Sequence, residues 1–525
     1  MKILLVEPDY RHGAASFIKA VTSPSNKKKY SEESLWYPPI GLLKLATFHR
    51  QRGDEVKFVI GCDKKVLQPA GLFSNEILWD RIYITTLFTF DWKNVVKTIN
   101  FYKSAVGGSI HKIYVGGIMA TLMADDIFEE TGIQPVHGIL DTPQKIGLDG
   151  EENIDLLPLD FSVLDNRIYA INDTYYAYTT RGCVHHCSWC GVPDIEPKYC
   201  DYIDIKPMIR QMKTIYGDKS RLKLMDNNVL ASPRLEEIVN DLVELGYGRG
   251  QTTSTVPPRT RVIDFNQGLE AKCITDDNIA LLEKLNIRPM RIAFDRLSYK
   301  KIYTNAVRIS HTHGFKEFSN YMLYNEKDTP RDLYDRLIIN IQINDEWRTL
   351  KDKTRAAIYS YPMRYAPIKD GTPQKLNRNR DYVPPKPSRE SDFLNDAKWT
   401  KRFTRNIEVI KGAAHGAISP TPSLALRAIG ETYEEFISNL YMPEELLRNR
   451  NKYEARIYDN DLTRIPGTGD IEKFREFILR LLSKQDETFS EFHGAVSVCS
   501  KEAIKEALKT CENKEVCEWL AWYLK

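Results

Sequence analysis

The chain has 525 residues, which is enough for two or three domains with sizeable hydrophobic cores. Lys and Arg number 74 against 71 Asp and Glu, and this near balance argues against a protein dominated by non-specific attraction to nucleic acid. The longest apolar stretches are strand-sized, well below the ~18 residues of a membrane span, and the N-terminal run turns polar too soon for a signal peptide. These features predict a cytoplasmic protein without membrane contact.

Residues 1–150 alternate strand-like and helix-like segments. This alternation predicts a doubly wound parallel sheet, with any ligand at the carboxyl ends of its strands. The β-rich runs are Lys2–Val6, Glu55–Ile60, Arg81–Leu87 and Lys112–Val115. The helical stretches are Ile40–Arg52, Asp91–Ala105 and Met119–Glu130. A connector, 151–171, follows this domain.

Cys183, Cys187 and Cys190 lie at spacings of four and three residues in one short segment. Three thiolates so spaced can hold one face of an iron–sulfur cube, which leaves the fourth iron open to a small chelating molecule. His185 and His186 lie between them, so zinc is an alternative, although no second Cys-x-x-Cys pair follows at zinc-ribbon distance. The third interpretation is that the cysteines are ordinary packing residues.

Residues 172–365 carry a second set of alternating elements. The strand candidates are Tyr175–Thr180, Leu222–Met225, Val262–Phe265, Arg291–Phe294, Ser319–Tyr324 and Ala356–Tyr361. Helices are expected between them, and Thr275 and Thr329 are placed to cap two of these helices.

The cysteine spacing, with Trp189 at the aromatic position of Cys-x-x-x-Cys-x-aromatic-Cys, resembles the signature of the radical SAM superfamily, and Tyr176–Gly182 resembles its first barrel strand. The resemblance implies a (β/α)6 partial TIM barrel over residues 172–365. It also implies a [4Fe-4S] cluster whose free iron binds S-adenosylmethionine, and a reductant such as flavodoxin or ferredoxin. Cleavage of S-adenosylmethionine would give methionine and a 5′-deoxyadenosyl radical. Trp189 would pack near the adenine; its alternative is an ordinary core aromatic.

On that template, polar residues at the strand ends are the candidates for contacts with S-adenosylmethionine. Asp226 or Asn228, after the second strand, would replace the glycine-rich acidic motif that holds the methionine amino group. Asn266 and Gln267, after the third strand, would reach the ribose or carboxylate, and Asn325 follows the fifth strand. Asp and Asn are also ordinary turn formers, so this alternative stays open.

Trp36–Ala46 followed by Arg52–Val56 resembles the first crossover of the cobalamin-binding domain that precedes many radical SAM barrels. Thr86, Gly116 and Gly117 fall where two strands of that flavodoxin-like fold end, and the resemblance implies that they lie near bound cobalamin. A tight turn that needs positive φ is the alternative for the glycines. Asp9–Gly13 lacks the Asp-x-His-x-x-Gly motif that ligates cobalt. Either cobalamin binds without a histidine ligand, or the domain has lost the cofactor.

The C-terminal part resembles no known family. A basic, Pro-containing linker at 366–395 lies within a stretch, 346–405, that has fifteen Lys and Arg against seven Asp and Glu, so phosphate or nucleic acid is an alternative partner. Residues 396–525 are expected to be mostly helical, with candidates at Thr432–Leu440, Ile471–Leu482 and Lys501–Leu524. Cys499, Cys511 and Cys517 are interpreted as packing or surface cysteines, and an auxiliary cluster is the alternative.

The fold class expected is therefore α/β, with a doubly wound sheet, a partial barrel and a helical C-terminal region. The leading functional hypothesis is a radical SAM enzyme that methylates an unactivated carbon with the help of cobalamin. The alternatives are a non-methylating radical enzyme, which would catalyse rearrangement, dehydrogenation or sulfur insertion, and a non-catalytic sensor that binds cobalamin or a cluster.

Overall fold

A computed structural model of the chain describes residues 1–10, 35–67, 79–107, 109–187, 189–324, 328–349, 356–365, 399–412, 416–450 and 468–525. The described residues belong to two compact units. The first takes in residues 1–267 and 280–287, and the second takes in residues 268–279, 288–366 and 389–525.

The N-terminal sheet of the first unit is fully parallel. Its strands are β1 (Lys2–Glu7), β2 (Glu55–Ile60), β3 (Arg81–Thr86) and β4 (Ile113–Gly117). They are ordered β2-β1-β3-β4, which is the flavodoxin-like order. The helices are α1 (Ile40–Gln51), α2 (Trp92–Tyr102), α3 (Ile118–Leu122) and α4 (Ala124–Thr131). The predicted doubly wound sheet is confirmed.

Alternate residues of β1 supply the two cores of this domain. Ile3 and Leu5 pack on one face with residues of α1 such as Leu45, whereas Leu4 and Val6 pack on the other face with α2. Successive side chains of a strand point to opposite faces, so one buried strand can serve both helix layers.

The predicted helix Met119–Glu130 is wrong as a single element. Met123 leaves the helical region, with φ −129° and ψ 40°, and separates α3 from α4. Asp125 and Asp126 then lie in the first turn of α4, where acidic side chains favour a new helix N-terminus.

A second parallel sheet in the first unit comprises β5 (Thr174–Ala177), β6 (Arg221–Leu224) and β7 (Val262–Phe265), in that order. The helices between these strands are α5 (Val192–Ile195), α6 (Lys206–Tyr216) and α7 (Leu235–Leu242). β5 ends at Ala177, three residues before the end of the predicted strand Tyr175–Thr180. The backbone N–H groups of Thr179 and Thr180 bind the side chain of Asp226 and not a neighbouring strand.

The sheet of the second unit has the order β10-β9-β8. Its strands are β8 (Met290–Arg291), β9 (Glu317–Tyr324) and β10 (Ala357–Arg364), and all pairs are parallel. The helices in this part of the chain are α8 (Asp276–Leu282), α9 (Lys300–Thr312) and α10 (Pro330–Thr349). Thr275 Oγ1 accepts from the backbone N–H of Asn278, and Thr329 Oγ1 from that of Asp332, so both predicted caps are confirmed.

The C-terminal region is mostly helical, as expected, and the α/β fold class is confirmed. Its helices include α11 (Lys401–Gly412), α12 (Pro422–Ile429), α13 (Tyr433–Tyr441), α14 (Thr468–Lys484), α15 (Glu487–Ser497), α16 (Lys501–Thr510) and α17 (Lys514–Trp522). Within the described ranges, no helix combines the length and apolarity that crossing a bilayer requires.

The predicted helix Lys501–Leu524 is wrong as one element, because it breaks between α16 and α17. The side chain of Asn513 caps α17 by accepting from two backbone N–H groups. Cys511 and Cys517 flank this cap and form a disulfide, which the sequence analysis does not predict.

Candidate functional site

The three motif cysteines lie on the loop that leads from β5 to α5, hereafter the cysteine loop, residues 183–190. Cys183, Cys187 and Cys190 are partly exposed, and none of the three forms a disulfide. The backbone N–H of Cys190 donates to the carbonyl of Cys187 at 3.1 Å, which turns the loop between these two residues. His185 and His186 point outward and are exposed.

The donor set matches the one that a [4Fe-4S] cluster with an open iron takes, since three accessible thiols lie on one loop. Nowhere in the described ranges do three His, Cys, Asp or Glu side chains converge into a preformed metal site. The residues present therefore fit the cluster by chemistry, and cluster binding must draw the three sulfurs together.

Backbone contacts close the base of the cysteine loop. Arg181 and Cys200 exchange two backbone hydrogen bonds of 2.9 Å in an isolated antiparallel bridge. Gly182 has φ +75°, and a Cβ there would lie 2.7 Å from the carbonyl oxygen of Lys198 and 2.9 Å from that of Glu196. Only glycine fits this position without displacing backbone, so it fixes the entry of the chain into the loop.

Buried charged side chains also hold the base of the cysteine loop. The Arg181 guanidinium donates to both carboxylate oxygens of Asp155 and, through Nη1, to Glu196 Oε1 at 2.8 Å. It also lies 3.3 Å from the ring centroid of Tyr178. Lys44 of α1 donates to Asp155 Oδ1 at 2.7 Å, which connects the N-terminal domain to this cluster of charges. Each charge therefore has a partner, as burial requires.

The pKa values in this cluster follow from burial and pairing. Burial lowers the pKa of Lys44 to about 8, and the nearby Arg181 charge acts in the same direction. Burial alone would raise the pKa of Asp155, but the charges of Lys44 and Arg181 hold it below its usual value. Asp155 therefore stays ionised and is the common acceptor of the two cations.

Asp226, which follows β6, is buried at the entrance to the loop. Its Oδ1 accepts hydrogen bonds from the backbone N–H and hydroxyl groups of both Thr179 and Thr180. Its Oδ2 is buried without a hydrogen-bond partner among the described residues. Burial raises the pKa of Asp226, although the threonine donors oppose the shift. An incoming ammonium or hydroxyl group would satisfy this oxygen.

The next two residues also contact the loop. Asn227 Nδ2 donates to Glu196 Oε2 at 2.9 Å. Asn228 Nδ2 donates to Cys183 Sγ at 3.5 Å, and the hydroxyl of Tyr199 donates to the Asn228 carbonyl at 3.0 Å. The structure thus brings the predicted residue Asn228 into contact with the first cysteine of the motif, and the predicted residue Asp226 into contact with the two threonines that precede the loop.

One face of the β5–β7 sheet is polar. Tyr176, Lys223 and Asp264 are cross-strand neighbours on it. Tyr37, from the segment before α1, lies over this face and accepts from Lys223 Nζ at 2.6 Å. The Tyr37 hydroxyl donates to the predicted residue Asn266 at 2.9 Å.

The other predicted contacts for S-adenosylmethionine differ in their surroundings. Gln267 is exposed, and Trp189 is partly exposed on the cysteine loop. Asn325 lies outside the described residues, as does most of the basic stretch 346–405.

The carboxyl edge of the N-terminal sheet combines the predicted cobalamin contacts with exposed apolar side chains. Thr86 Oγ1 donates to the Gly116 carbonyl at 3.1 Å. A Cβ on Gly117 would lie 2.3 Å from the backbone carbonyl oxygen of Thr86. Close packing of β3 against β4 therefore already requires glycine at Gly117. The exposed apolar side chains at the same edge are Leu87, Phe88, Phe90 and Ile118. The rings of Phe88 and Phe90 stack at 4.9 Å.

Sequence reasoning missed the partners of Arg181, namely Asp155 and Glu196. It also missed Lys44, which binds Asp155, and Tyr37. One signal was available. A cation two residues before Cys183, in an otherwise uncharged approach, needs a carboxylate once it is buried. Which carboxylate serves depends on the fold and not on sequence spacing.

Comparison with known proteins gives structural similarity alone. No family model matches the chain, and no curated protein matches it. Among solved structures, the chain is similar to the apo, selenomethionine-labelled cobalamin-dependent S-adenosylmethionine radical enzyme OxsB, with a TM-score of 0.49 and 10% identity, over 100% of this chain and 84% of that chain.

Proposed function

We propose that this protein is a radical SAM enzyme that methylates an unactivated carbon of its substrate with the help of cobalamin. One observation carries the proposal: three partly exposed cysteines outside any disulfide, Cys183, Cys187 and Cys190, lie on one loop after the first strand of a parallel sheet. These residues would hold a [4Fe-4S] cluster. When bound, that cluster supplies the electron that cleaves S-adenosylmethionine and so gives a 5′-deoxyadenosyl radical.

In this proposal, S-adenosylmethionine binds at the carboxyl ends of β5, β6 and β7. The buried Oδ2 of Asp226, together with Asn228, accepts from its amino group. Asn266 and Gln267 bind its ribose or carboxylate, and Trp189 packs against the adenine. The further candidate Asn325 lies outside the described residues. Carboxylate and amide groups suit a ligand that carries ammonium and hydroxyl groups.

Cobalamin is proposed to bind at the carboxyl edge of the N-terminal sheet. In an open parallel sheet, ligands bind outside the carboxyl ends of the strands. Phe88, Phe90 and Ile118 are exposed there, and a flat macrocycle would cover them. Thr86, Gly116 and Gly117 would line the backbone side of the same site.

The proposed domain arrangement is cobalamin-binding (1–150), connector (151–171), radical SAM (172–365), linker (366–395) and helical region (396–525). A flavodoxin or ferredoxin would deliver the electron. The proposed location is the cytoplasm. Nucleic acid is the alternative partner, through the basic stretch 346–405, most of which lies outside the described residues.

The decisive experiment is anaerobic reconstitution with iron, sulfide and hydroxocobalamin, followed by reductant and S-adenosylmethionine. Formation of both 5′-deoxyadenosine and S-adenosylhomocysteine supports the proposal. 5′-Deoxyadenosine alone assigns a non-methylating radical enzyme. An intact cluster that yields neither product assigns a sensor, and bound zinc without iron overturns the proposal altogether.

A further inference from the structure

Three consecutive residues after β6 hold the cysteine loop from before it, within it and after it. Asp226 binds the two threonines that precede the loop. Asn228 donates to Cys183 Sγ at 3.5 Å, and Asn227 donates to Glu196 at 2.9 Å beyond the loop. The end of one strand thus fixes both the path of the loop and the position of its first thiol.

We propose that Asn228 is a positioning residue that sets the reduction potential of the iron–sulfur centre through its hydrogen bond to Cys183. This inference rests on the proposed function, because it requires a cluster at the three cysteines. It goes beyond that function by assigning the amide nitrogen of Asn228 to the sulfur of Cys183.

The physical reason is electrostatic. A donor N–H that faces a ligating sulfur stabilises negative charge there, and the cluster gains one negative charge when it is reduced. The hydrogen bond therefore favours the reduced form and makes the potential less negative. Asn228 is only 5% exposed, so its amide donor is largely shielded from water.

The position of the amide is set by rigid structure. Tyr199 donates to the Asn228 carbonyl at 3.0 Å, and Asp226, two residues earlier, is held by four hydrogen bonds. The donor is therefore oriented before the cluster binds. An oriented donor costs less entropy than one recruited from a mobile side chain.

Three variants test the inference. Asn228→Asp keeps the shape and replaces the donor with a carboxylate, Asn228→Ala removes the donor without adding charge, and Asn228→Ser restores a shorter donor. Asn240→Asp, at an exposed position of α7, is the matched control for the added charge. The measurement is a redox titration of the reconstituted protein without S-adenosylmethionine, followed by electron paramagnetic resonance, together with iron content and apoprotein unfolding temperature.

We expect Asn228→Ala to lower the equilibrium constant for cluster reduction about tenfold, or about 59 mV for a one-electron couple. Asn228→Asp should lower it further, Asn228→Ser should recover part of the loss, and the Asn240→Asp control should match the parent. Loss of iron from Asn228→Ala with an unchanged apoprotein unfolding temperature also supports positioning of Cys183.

Two results overturn the inference. One is a potential in Asn228→Ala and Asn228→Asp equal to that of the parent. The other is loss of iron together with a lower apoprotein unfolding temperature, which would make Asn228 a general structural residue. A parent protein that binds no [4Fe-4S] cluster instead defeats the proposed function itself, so the two failures are distinguishable.

Discussion

Arg181 Nη1 donates to Glu196 Oε1 at 2.8 Å, and this buried ion pair joins the residues on either side of the cysteine loop. The base of the loop is therefore held by this ion pair as well as by backbone contacts. These contacts give specific expectations for stability and for cofactor binding.

Loss of the Arg181 charge should be strongly destabilising. Arg181→Met leaves the carboxylates of Asp155 and Glu196 buried without their shared cation, at a cost of about 3–5 kcal/mol in the free energy of unfolding. Urea unfolding of the apoprotein measures this. Arg210→Met, which removes a solvent-exposed pair with Glu244, is the control and should cost less than ~1 kcal/mol. Equal effects of the two substitutions would contradict a stabilising role for the buried ion pairs of Arg181.

Gly182 should not tolerate alanine. Gly182→Ala brings a Cβ to 2.7 Å from the Lys198 carbonyl oxygen, in addition to the strain of φ +75°. Gly217→Ala isolates the strain, because Gly217 has φ +78° and nothing within 4 Å of an added Cβ. The control should lose about 1–3 kcal/mol of unfolding free energy, because φ +78° with ψ 174° is a region that essentially only glycine adopts, and Gly182→Ala should lose clearly more. Chemical denaturation of both apoproteins measures the difference, and no difference would exclude the backbone contact.

Each motif cysteine should be required for iron. Cys183→Ala, Cys187→Ala and Cys190→Ala remove one of three proposed ligands, so anaerobically reconstituted protein should retain little iron or sulfide. Cys200→Ala removes an exposed thiol close to the base of the loop and should bind iron as the parent does. Iron retained by all three motif variants would refute the assignment of the ligands.

Lys44 should give a pH-dependent contribution to stability. Burial lowers its pKa from 10.5 to about 8, so between these values the unfolded chain binds one proton more than the folded chain. Stability from this group therefore rises with pH in that window, by at most about 1.4 kcal/mol per pH unit. The difference in unfolding free energy between the parent and Lys44→Met, measured from pH 7.5 to 10, should change in favour of the parent. A difference independent of pH would contradict the lowered pKa.

Cobalamin binding should depend on the apolar edge of the N-terminal sheet. Phe90→Ser removes an aromatic side chain that is 53% exposed beside Phe88, so affinity for hydroxocobalamin should fall about tenfold or more. Phe128→Ser is the matched control, since Phe128 is 48% exposed on α4. Spectrophotometric titration of both variants gives the affinities. Equal affinities would place cobalamin elsewhere or exclude it.

Local patterns predicted the elements well where local sequence decides them. Glu55–Ile60 and Val262–Phe265 have in the structure the bounds that their β-rich runs predict. The strand Tyr175–Thr180 was extended too far, because Asp226, distant in sequence, takes the backbone donors of Thr179 and Thr180. Non-local contacts of this kind leave no trace in periodicity.

The residues of the candidate site also fall into those that local sequence predicts and those that it does not. The cysteine spacing is local and readable, and the roles of the three thiols stay a prediction. The partners of Arg181 are not readable: Asp155 comes from the connector, and Lys44, which binds Asp155, comes from a helix of the preceding domain. Each contact depends on how elements pack, and a single sequence does not encode that in any spacing.

Tyr37 and Lys44 both precede residue 150, yet they bind Lys223 and Asp155 beyond it. A truncated protein that starts at the connector would expose the polar face of the β5–β7 sheet and leave Asp155 with a single cation. The segment around Tyr37 and Lys44 therefore stabilises the part of the chain that carries the cysteine loop. Expressing residues 1–150 or the rest of the chain alone would leave buried polar groups of each part without these contacts.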